Sequence, residues 1–378
     1  MRILLATDAN VERSGVCVFL LQWTKGLSLI DERPSVTIYF RKSVLDPSVV
    51  DEFIAYGINI VTGNLPENET ALKLSNRKKV GNDIRRILSE ETYDVVHVNS
   101  SAAGFSMSVL KEAKKANVPI RISHSHGKNI NNGWKNIYLG LIKTINRKTA
   151  TRLASCSFSA GKYLFGNRAM MSGKCIIVPN TIDANKYAFD EIKRIEKRRE
   201  IGVSGETILI GATGMLVPVK NHAFLIDVVR VLKNRNQDIK LVIFGEGEKR
   251  SSLEAHIKEL SLNEDVILYG VSDDIASWLS AFDYYVMPSF SEGLPLGAIE
   301  AQANGLPCLL SDNVPKDVDL STNVVHLPIS EGPECWADMI NLQNVLPNKE
   351  RRKGTEIVKN KGFDQGSIEN YIRKLYAI

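Results

Sequence analysis

Pro288-Ser289-Phe290-Ser291-Glu292-Gly293-Leu294-Pro295-Leu296-Gly297-Ala298-Ile299-Glu300-Ala301 follows a strand-length apolar run over 284–289 and enters a helix that Pro295 opens and Asn304-Gly305 closes. The strand, loop and helix put one carboxylate, Glu292, before the helix and another, Glu300, inside it. Amides left exposed in a first helical turn bind phosphate, and a glycine such as Gly293 lets the backbone approach it. The loop is suited to an anion. Carboxylates accept hydrogen bonds from hydroxyls, so two glutamates flanking that anion can hold a sugar ring on one side and a ribose on the other, the parts of a nucleotide sugar. The plainer reading makes Glu292 a loop charge and Glu300 a solvated helix residue; the S-E-G-L-P-L and A-N-G-L-P context favours the first.

Outward from this stretch, short β-rich runs alternate with helical patterns along the whole chain, which predicts an α/β protein with parallel sheets and crossover helices. The strand candidates fall into two sets: 2–8, 36–41, 58–63, 95–99, 120–124, 150–156 and 175–179, then 208–214, 240–245, 266–270, 284–289, 306–311 and 323–327. A boundary near Pro179 divides them, giving domains over 1–179 and 180–361, and 182–205, charged and ending in Gly202 and Gly205, reads as a connector. Ile368, Tyr371, Ile372 and Leu375 recur at helical spacing, so a terminal helix needs an apolar surface to cover.

The composition sets outer bounds. With 378 residues, 44% apolar and 24% charged, the chain can bury a large core and is expected to form about two domains. Intrinsic disorder is excluded as the main state. No apolar run approaches the roughly 20 residues of a membrane span, and the start, Met1-Arg2-Ile3-Leu4-Leu5-Ala6-Thr7-Asp8, is too brief for a secretory signal. A cytoplasmic location is expected. Cys17, Cys156, Cys175, Cys308 and Cys335 form no C-x-x-C pair, so buried thiols are expected in place of disulfides or zinc. A net charge of +5 is modest and must be read locally; no nucleic-acid partner is expected.

A second segment, Gly211-Ala212-Thr213-Gly214-Met215-Leu216-Val217-Pro218-Val219-Lys220-Asn221-His222, follows a predicted strand and precedes a helix with Leu225, Val228, Val229 and Leu232 on one face. Taken alone, Lys220 is a loop lysine and Met215 a packing residue. Together with the Glu292–Glu300 motif, however, the segment resembles the retaining GT-B glycosyltransferases of glycosyltransferase family four, particularly bacterial enzymes of capsule, exopolysaccharide and O-antigen assembly. The resemblance covers nearly the whole chain. It implies that Glu292 holds the donor sugar, that the backbone from Gly293 through Leu294 and Pro295 to Leu296 holds sugar and diphosphate, and that Glu300 holds the ribose. The 211–222 segment is similar to the family's G-R-L-x-x-x-K-N loop, in which Arg and Lys grip the diphosphate: Gly214 and Lys220 match, and Met215 stands where Arg is usual. A lysine can neutralise a departing diphosphate alone, without the bidentate clamp of a guanidinium.

Further motifs fall into place by the same resemblance. Gly15, in Asp8-Ala9-Asn10-Val11-Glu12-Arg13-Ser14-Gly15, is similar to the family's glycine-rich turn, with one glycine of the usual pair. Ile120-Arg121-Ile122-Ser123-His124-Ser125-His126-Gly127 places two histidines at the carboxyl end of a predicted parallel strand, where ligands gather in open sheets. The family carries a His here that contacts the donor sugar; His126, followed by Gly127, is preferred and His124 is the alternative. Metal binding lacks a third ligand. Pro179-Asn180-Thr181-Ile182-Asp183 resembles the family's P-N-G-I-D hinge, and Asp317-Val318-Asp319 is a three-letter D-x-D of little weight.

Lys128, Lys135, Lys143, Arg147, Lys148 and Arg152 form a basic stretch with no acidic residue, interleaved with Trp134, Ile137, Tyr138, Leu141, Ile142 and Ile145. It can lie on an anionic membrane, each cation contributing on the order of 1 kcal/mol, or equally be a core-packed helix with a solvated basic face.

The resemblance thus implies two Rossmann-like domains facing a cleft: an acceptor-binding domain over 1–179, completed by about 362–378 as the terminal helix crosses back, and a nucleotide-sugar-binding domain over 180–361. The activity it implies is retaining transfer of a hexose or N-acetylhexosamine from a nucleoside diphosphate sugar, with uridine the preferred base, to a glycan or polyprenyl diphosphate-linked acceptor. No metal or other cofactor is expected. A nucleotide-sugar epimerase of the same fold and an inactive partner subunit are the alternatives.

Overall fold

Every run read as a strand forms one in the computed structural model, which describes residues 1–11, 15–30, 32–42, 46–65, 74–127, 136–203 and 205–378. The first set comprises β1 (Arg2–Thr7), β2 (Ser35–Lys42), β3 (Asn59–Leu65), β4 (Val95–Asn99), β5 (Ile120–Ser125), β6 (Arg152–Ser155) and β7 (Cys175–Ile177). The second comprises β8 (Ile208–Thr213), β9 (Ile239–Phe244), β10 (Val266–Gly270), β11 (Tyr284–Met287), β12 (Cys308–Ser311) and β13 (Val324–Leu327). Each set builds one parallel sheet, ordered β3-β2-β1-β4-β5-β6-β7 and β10-β9-β8-β11-β12-β13. Central strands such as β4 are buried at every residue because helices cover both faces, which is why they read as largely apolar runs.

In both sheets the chain reverses its direction of strand addition once, between β1 and β4 in the first and between β8 and β11 in the second. At such a point the loops leaving two adjacent strands diverge and open a crevice at the carboxyl edge. Two crevices are therefore laid down by topology before any side chain is considered.

Two units result: Met1–Thr181 together with Gln365–Ile378, and Ile182–Asp364. The terminal helix Ile368–Tyr376 belongs to the first, where Ile368, Ile372, Leu375 and Tyr376 join Trp23, Leu27 and the strand residues Ile3, Leu5 and Ile38 in one buried cluster. Its approach needs Gly26, since a Cβ there would come within 2.5 Å of Ile368 Cγ2. The second unit is built on Ile208, Ile210, Leu241, Ile243 and Val286 with Leu225, Val228, Val229 and Leu232 of the helix His222–Asn234.

The stretch read as a connector is corrected by the structure. Its helix Glu191–Glu200 is part of the second unit, capped by Asp190, whose carboxylate accepts from the Ile192 and Lys193 amides at 2.8 and 3.0 Å. Arg194 and Arg198 reach the buried Asp283 at 2.6 and 3.0 Å, so cations of the stretch read as a connector anchor the helix. None of the five cysteines forms a disulfide; four of them are buried and Cys335 is half-buried. Among the described residues no helix is long and apolar enough to cross a membrane.

Candidate active site

In the second unit the segment after β8 and the segment after β11 meet at the reversal point. Gly214 has φ +146°, and a Cβ there would press on Lys220 Cε at 3.2 Å, so glycine lets the lysine stem lie across the backbone. The loop is braced from behind: the Leu216 amide donates to Glu246 O and the Gly214 amide to Phe244 O, both at 2.9 Å. It is tied to the neighbouring loop by the Phe290 amide, which donates to Val219 O at 2.8 Å, and by Asn221 Nδ2, which donates to Pro288 O at 3.2 Å.

These ties bring Lys220 Nζ to 2.7 Å from Glu292 Oε1, the pair keeping 19% and 11% of their side-chain surfaces exposed. Two residues separated by 72 positions and singled out on separate motifs are thus direct partners. Leu294 and Pro295 are buried and pin the loop, and Gly293 and Leu296 remain half-exposed where the helix Leu296–Ala303 begins. Gly297 sits so close to Thr213 and Tyr285 that a Cβ would strike both hydroxyls, and those hydroxyls bond each other at 2.8 Å.

Glu300 follows on that helix. Burial raises its pKa, against the lowering effect of the Tyr187 hydroxyl that donates to it and of Lys186 nearby. The Tyr285 phenol, raised by burial, feels both Glu300 and Glu292, which places the two carboxylates around one tyrosine. His222, only 5% exposed, lies under the Gly214–Met215 backbone; burial lowers its pKa to about 4, and it feels Lys220 and Glu292. Met215 is 65% exposed, so it has no packing role in the core.

In the first unit the reversal point lies between β1 and β4. Gly15 opens the helix Gly15–Ser28, and a Cβ on it would meet nothing within 4 Å, so packing does not require glycine there. Residues 12–14 of that turn lie outside the described residues. His126 is half-exposed at the end of β5, its Nε2 2.9 Å from Asn99 Oδ1 at the end of β4. His124 is fully buried, its Nδ1 3.1 Å from His97 Nε2, and offers a ligand no surface.

The D-x-D residue Asp319 bonds His326 Nε2 at 2.7 Å. Among the described residues no group of three or more His, Cys, Asp or Glu could hold a metal. In the basic stretch, Lys128, Trp134 and Lys135 lie outside the described residues, as do the side chains of Ile137 and Tyr138. On its helix Asn136–Thr149, Lys143 Nζ lies 3.8 Å above the Tyr163 ring and Arg147 donates to Phe165 O at 2.6 Å, so both are spent on packing. Leu141, Ile145 and Lys148 are exposed on one face.

Asn99, His97, Tyr187, Tyr285 and His222 were not singled out from the sequence. Asn99 could have been, since it ends a predicted strand, and His222 adjoins Lys220-Asn221; Tyr187 carries no such signal.

A family profile described as "Glycosyl transferases group 1" matches residues 193–321. The chain is 31% identical over 302 residues to the Bacillus subtilis protein EpsF, named as a glycosyltransferase, covering 78% of each chain. It is 29% identical over 235 residues, 60% of each chain, to the Escherichia coli UDP-Gal:alpha-D-GlcNAc-diphosphoundecaprenol alpha-1,3-galactosyltransferase. HepE of Anabaena, solved in complex with UDP, superposes with a TM-score of 0.78 over the full length of both chains at 15% identity. The two parallel-sheet, Rossmann-like halves match this GT-B neighbour.

Proposed function

Since this chain belongs to the group 1 glycosyltransferases, we propose that it moves a hexose or N-acetylhexosamine from a nucleoside diphosphate sugar, foremost a UDP-sugar, to a glycan or polyprenyl-linked glycan in cell-surface polysaccharide synthesis, with retention of configuration. The observation that carries this reading is the Lys220–Glu292 contact at the β8/β11 reversal point, with Glu300 on the helix that follows. Each charged group of the site has a partner within the protein: Glu292 has Lys220, and Glu300 has Tyr187. A nucleotide sugar exchanges these partners. Its diphosphate takes Lys220 and the amides at the start of Leu296–Ala303, its ribose takes Glu300, and the sugar hydroxyls take Glu292.

Charge grows on the departing diphosphate in the transition state, so a lysine and amides already aimed there stabilise it more than the ground state. The reaction draws its positive charge from these groups, and no metal cofactor is proposed. The acceptor is assigned to the first unit, near Gly15, and His126 is assigned to the donor sugar. The names of the E. coli relative, with its UDP-Gal donor and diphosphoundecaprenol acceptor, and of the UDP-bound HepE structure support the choice of uridine and of a lipid-linked acceptor. Peripheral docking at the inner face of the membrane is assigned to Leu141, Ile145 and Lys148; co-sedimentation with anionic liposomes that survives replacing all three would remove it.

The test is a panel of UDP-linked glucose, galactose, GlcNAc and GalNAc with membrane lipid extract, read by mass spectrometry for one added sugar, and calorimetry of UDP and GDP. Transfer that is lost in Lys220→Met supports the reading. Donor conversion without acceptor points to the epimerase, and binding of neither diphosphate to the inactive subunit.

A further inference from the structure

A row of buried polar rings in the first unit takes no part in the chemistry above. Trp23 Nε1 donates to Tyr376 Oη at 2.8 Å; that oxygen lies 3.0 Å from His97 Nδ1, and His97 Nε2 lies 3.1 Å from His124 Nδ1. The remaining nitrogen of His124 turns toward the Val178 backbone without a well-aligned bond. Trp23, His97, His124 and Tyr376 are all at most 1% exposed.

One order of protons along this row fits its donors and acceptors best. An indole N–H can only donate, so Tyr376 Oη accepts from Trp23 and its own hydroxyl proton is directed to His97 Nδ1. His97 then carries its proton on Nε2 and donates to His124 Nδ1, and His124 carries its proton on Nε2, facing the Val178 carbonyl. The reverse order leaves the Tyr376 proton with no acceptor among the described residues other than His97 and sets a bare nitrogen against that carbonyl. Burial acts in the same direction, holding both imidazoles neutral.

His126 rests on this row. Its ring lies 4.2 Å from that of His124 and 4.6 Å from Phe19, centroid to centroid. Asn99 Nδ2 donates to His97 O at 3.3 Å, which leaves Asn99 Oδ1 to accept from His126 Nε2–H. His126 Nδ1 is left as an acceptor with no partner among the described residues.

We propose that Tyr376, on the terminal helix, is a positioning residue: through His97 it locks the tautomer and tilt of His124, the ring against which His126 is held. The proposal rests on the reading of His126 as the imidazole that faces the sugar. It gives the returning end of the chain a task beyond covering apolar surface.

The experiment is a long-range proton–nitrogen correlation on protein labelled with ¹⁵N only in its six histidines, assigned by single His→Gln variants. In the native protein His97, His124 and His126 should each show a single Nε2–H tautomer. In Tyr376→Phe, His97 should gain an Nδ1–H population while His256 and His326 stay unchanged, and turnover of the UDP-sugar panel should fall about ten-fold in kcat with KM for the donor unmoved. An unchanged His97 pattern overturns the proposal, as does a shifted pattern with native kcat. If Tyr376→Phe fails to fold, His97→Phe gives the same reading at His124, which should lose its single tautomer; retention of that tautomer overturns the proposal. Native turnover in His126→Ala would instead sink the reading of His126, with the tautomer shift still standing.

Discussion

Glu300 is a carboxylate under two opposed influences, burial that disfavours its charge and the Tyr187 hydroxyl that favours it. The ionised form is the one that accepts ribose hydroxyls. A pKa raised in the free protein means that acidification protonates the group and removes that acceptor, so UDP affinity should fall as pH drops through the raised value. Tyr187→Phe deletes the hydrogen bond that lowers the pKa, so the midpoint should move to higher pH. Hydrogen bonds to charged groups contribute about 1.5–3 kcal/mol, so Glu300→Ala should weaken UDP roughly ten- to hundred-fold and flatten the pH dependence. Calorimetric titration from about pH 8 to pH 5 on the three proteins decides it; a pH profile unchanged in Glu300→Ala would show that another group is titrating.

At the scale of elements, what was legible in the sequence follows the physics of parallel sheets. Strands covered on both faces are mostly apolar, so all thirteen could be read as runs, and residues in the loops that follow them, such as Lys220 and Glu292, could be placed at carboxyl edges. The pairing of those two, 72 positions apart, was not legible, nor was that of Tyr376 with His97 over 279 positions, because register between distant segments leaves no local pattern. The helix Glu191–Glu200 misled for a related reason: its partner, Asp283, lies in another part of the sequence.

Arg351 shows the same principle among helices. It is 2% exposed and donates to the carbonyls of Leu279 and Phe282, each at 2.9 Å, and to both the side chain and the backbone of Asn304, so it caps the ends of Ile275–Ala281 and Leu296–Ala303 together. Arg351→Met keeps the volume and orphans those carbonyls, and should cost about 3 kcal/mol by urea denaturation. The buried imidazoles add a pH term. His97 is held at about 3 and His222 at about 4 by burial, below the ordinary histidine value. The unfolded chain then binds protons that the folded one refuses, so stability is full above the unfolded value and declines as pH falls from there toward the folded values. At pH 5 the loss is about 2 kcal/mol for each ring. In His222→Gln the drop in unfolding free energy from urea titration between pH 7.5 and pH 5 should shrink by about 2 kcal/mol; an undiminished drop would show that His222 is not shielded from protons in solution.

For the whole molecule, the division into two units, one of them closed by the last residues of the chain, has consequences for unfolding. Ile368, Ile372, Leu375 and Tyr376 are between 0 and 4% exposed within the first unit. Losing a buried aliphatic side chain typically costs about 2–5 kcal/mol, and a domain's stability is only about 5–15 kcal/mol. Removing residues 368–378 should therefore unfold the first unit, whereas the second, with its own core around Ile210 and Ile243, keeps its structure. Scanning calorimetry of the full chain should show two transitions, and the shortened chain should retain only one. If Lys220, Glu292 and Glu300 hold the donor, UDP at 100 times its dissociation constant should stabilise that surviving transition by about 2.7 kcal/mol in both proteins, leaving the other transition of the full chain in place. A surviving transition that ignores UDP would separate these residues from nucleotide binding, and loss of both transitions together would show that the two units do not fold independently.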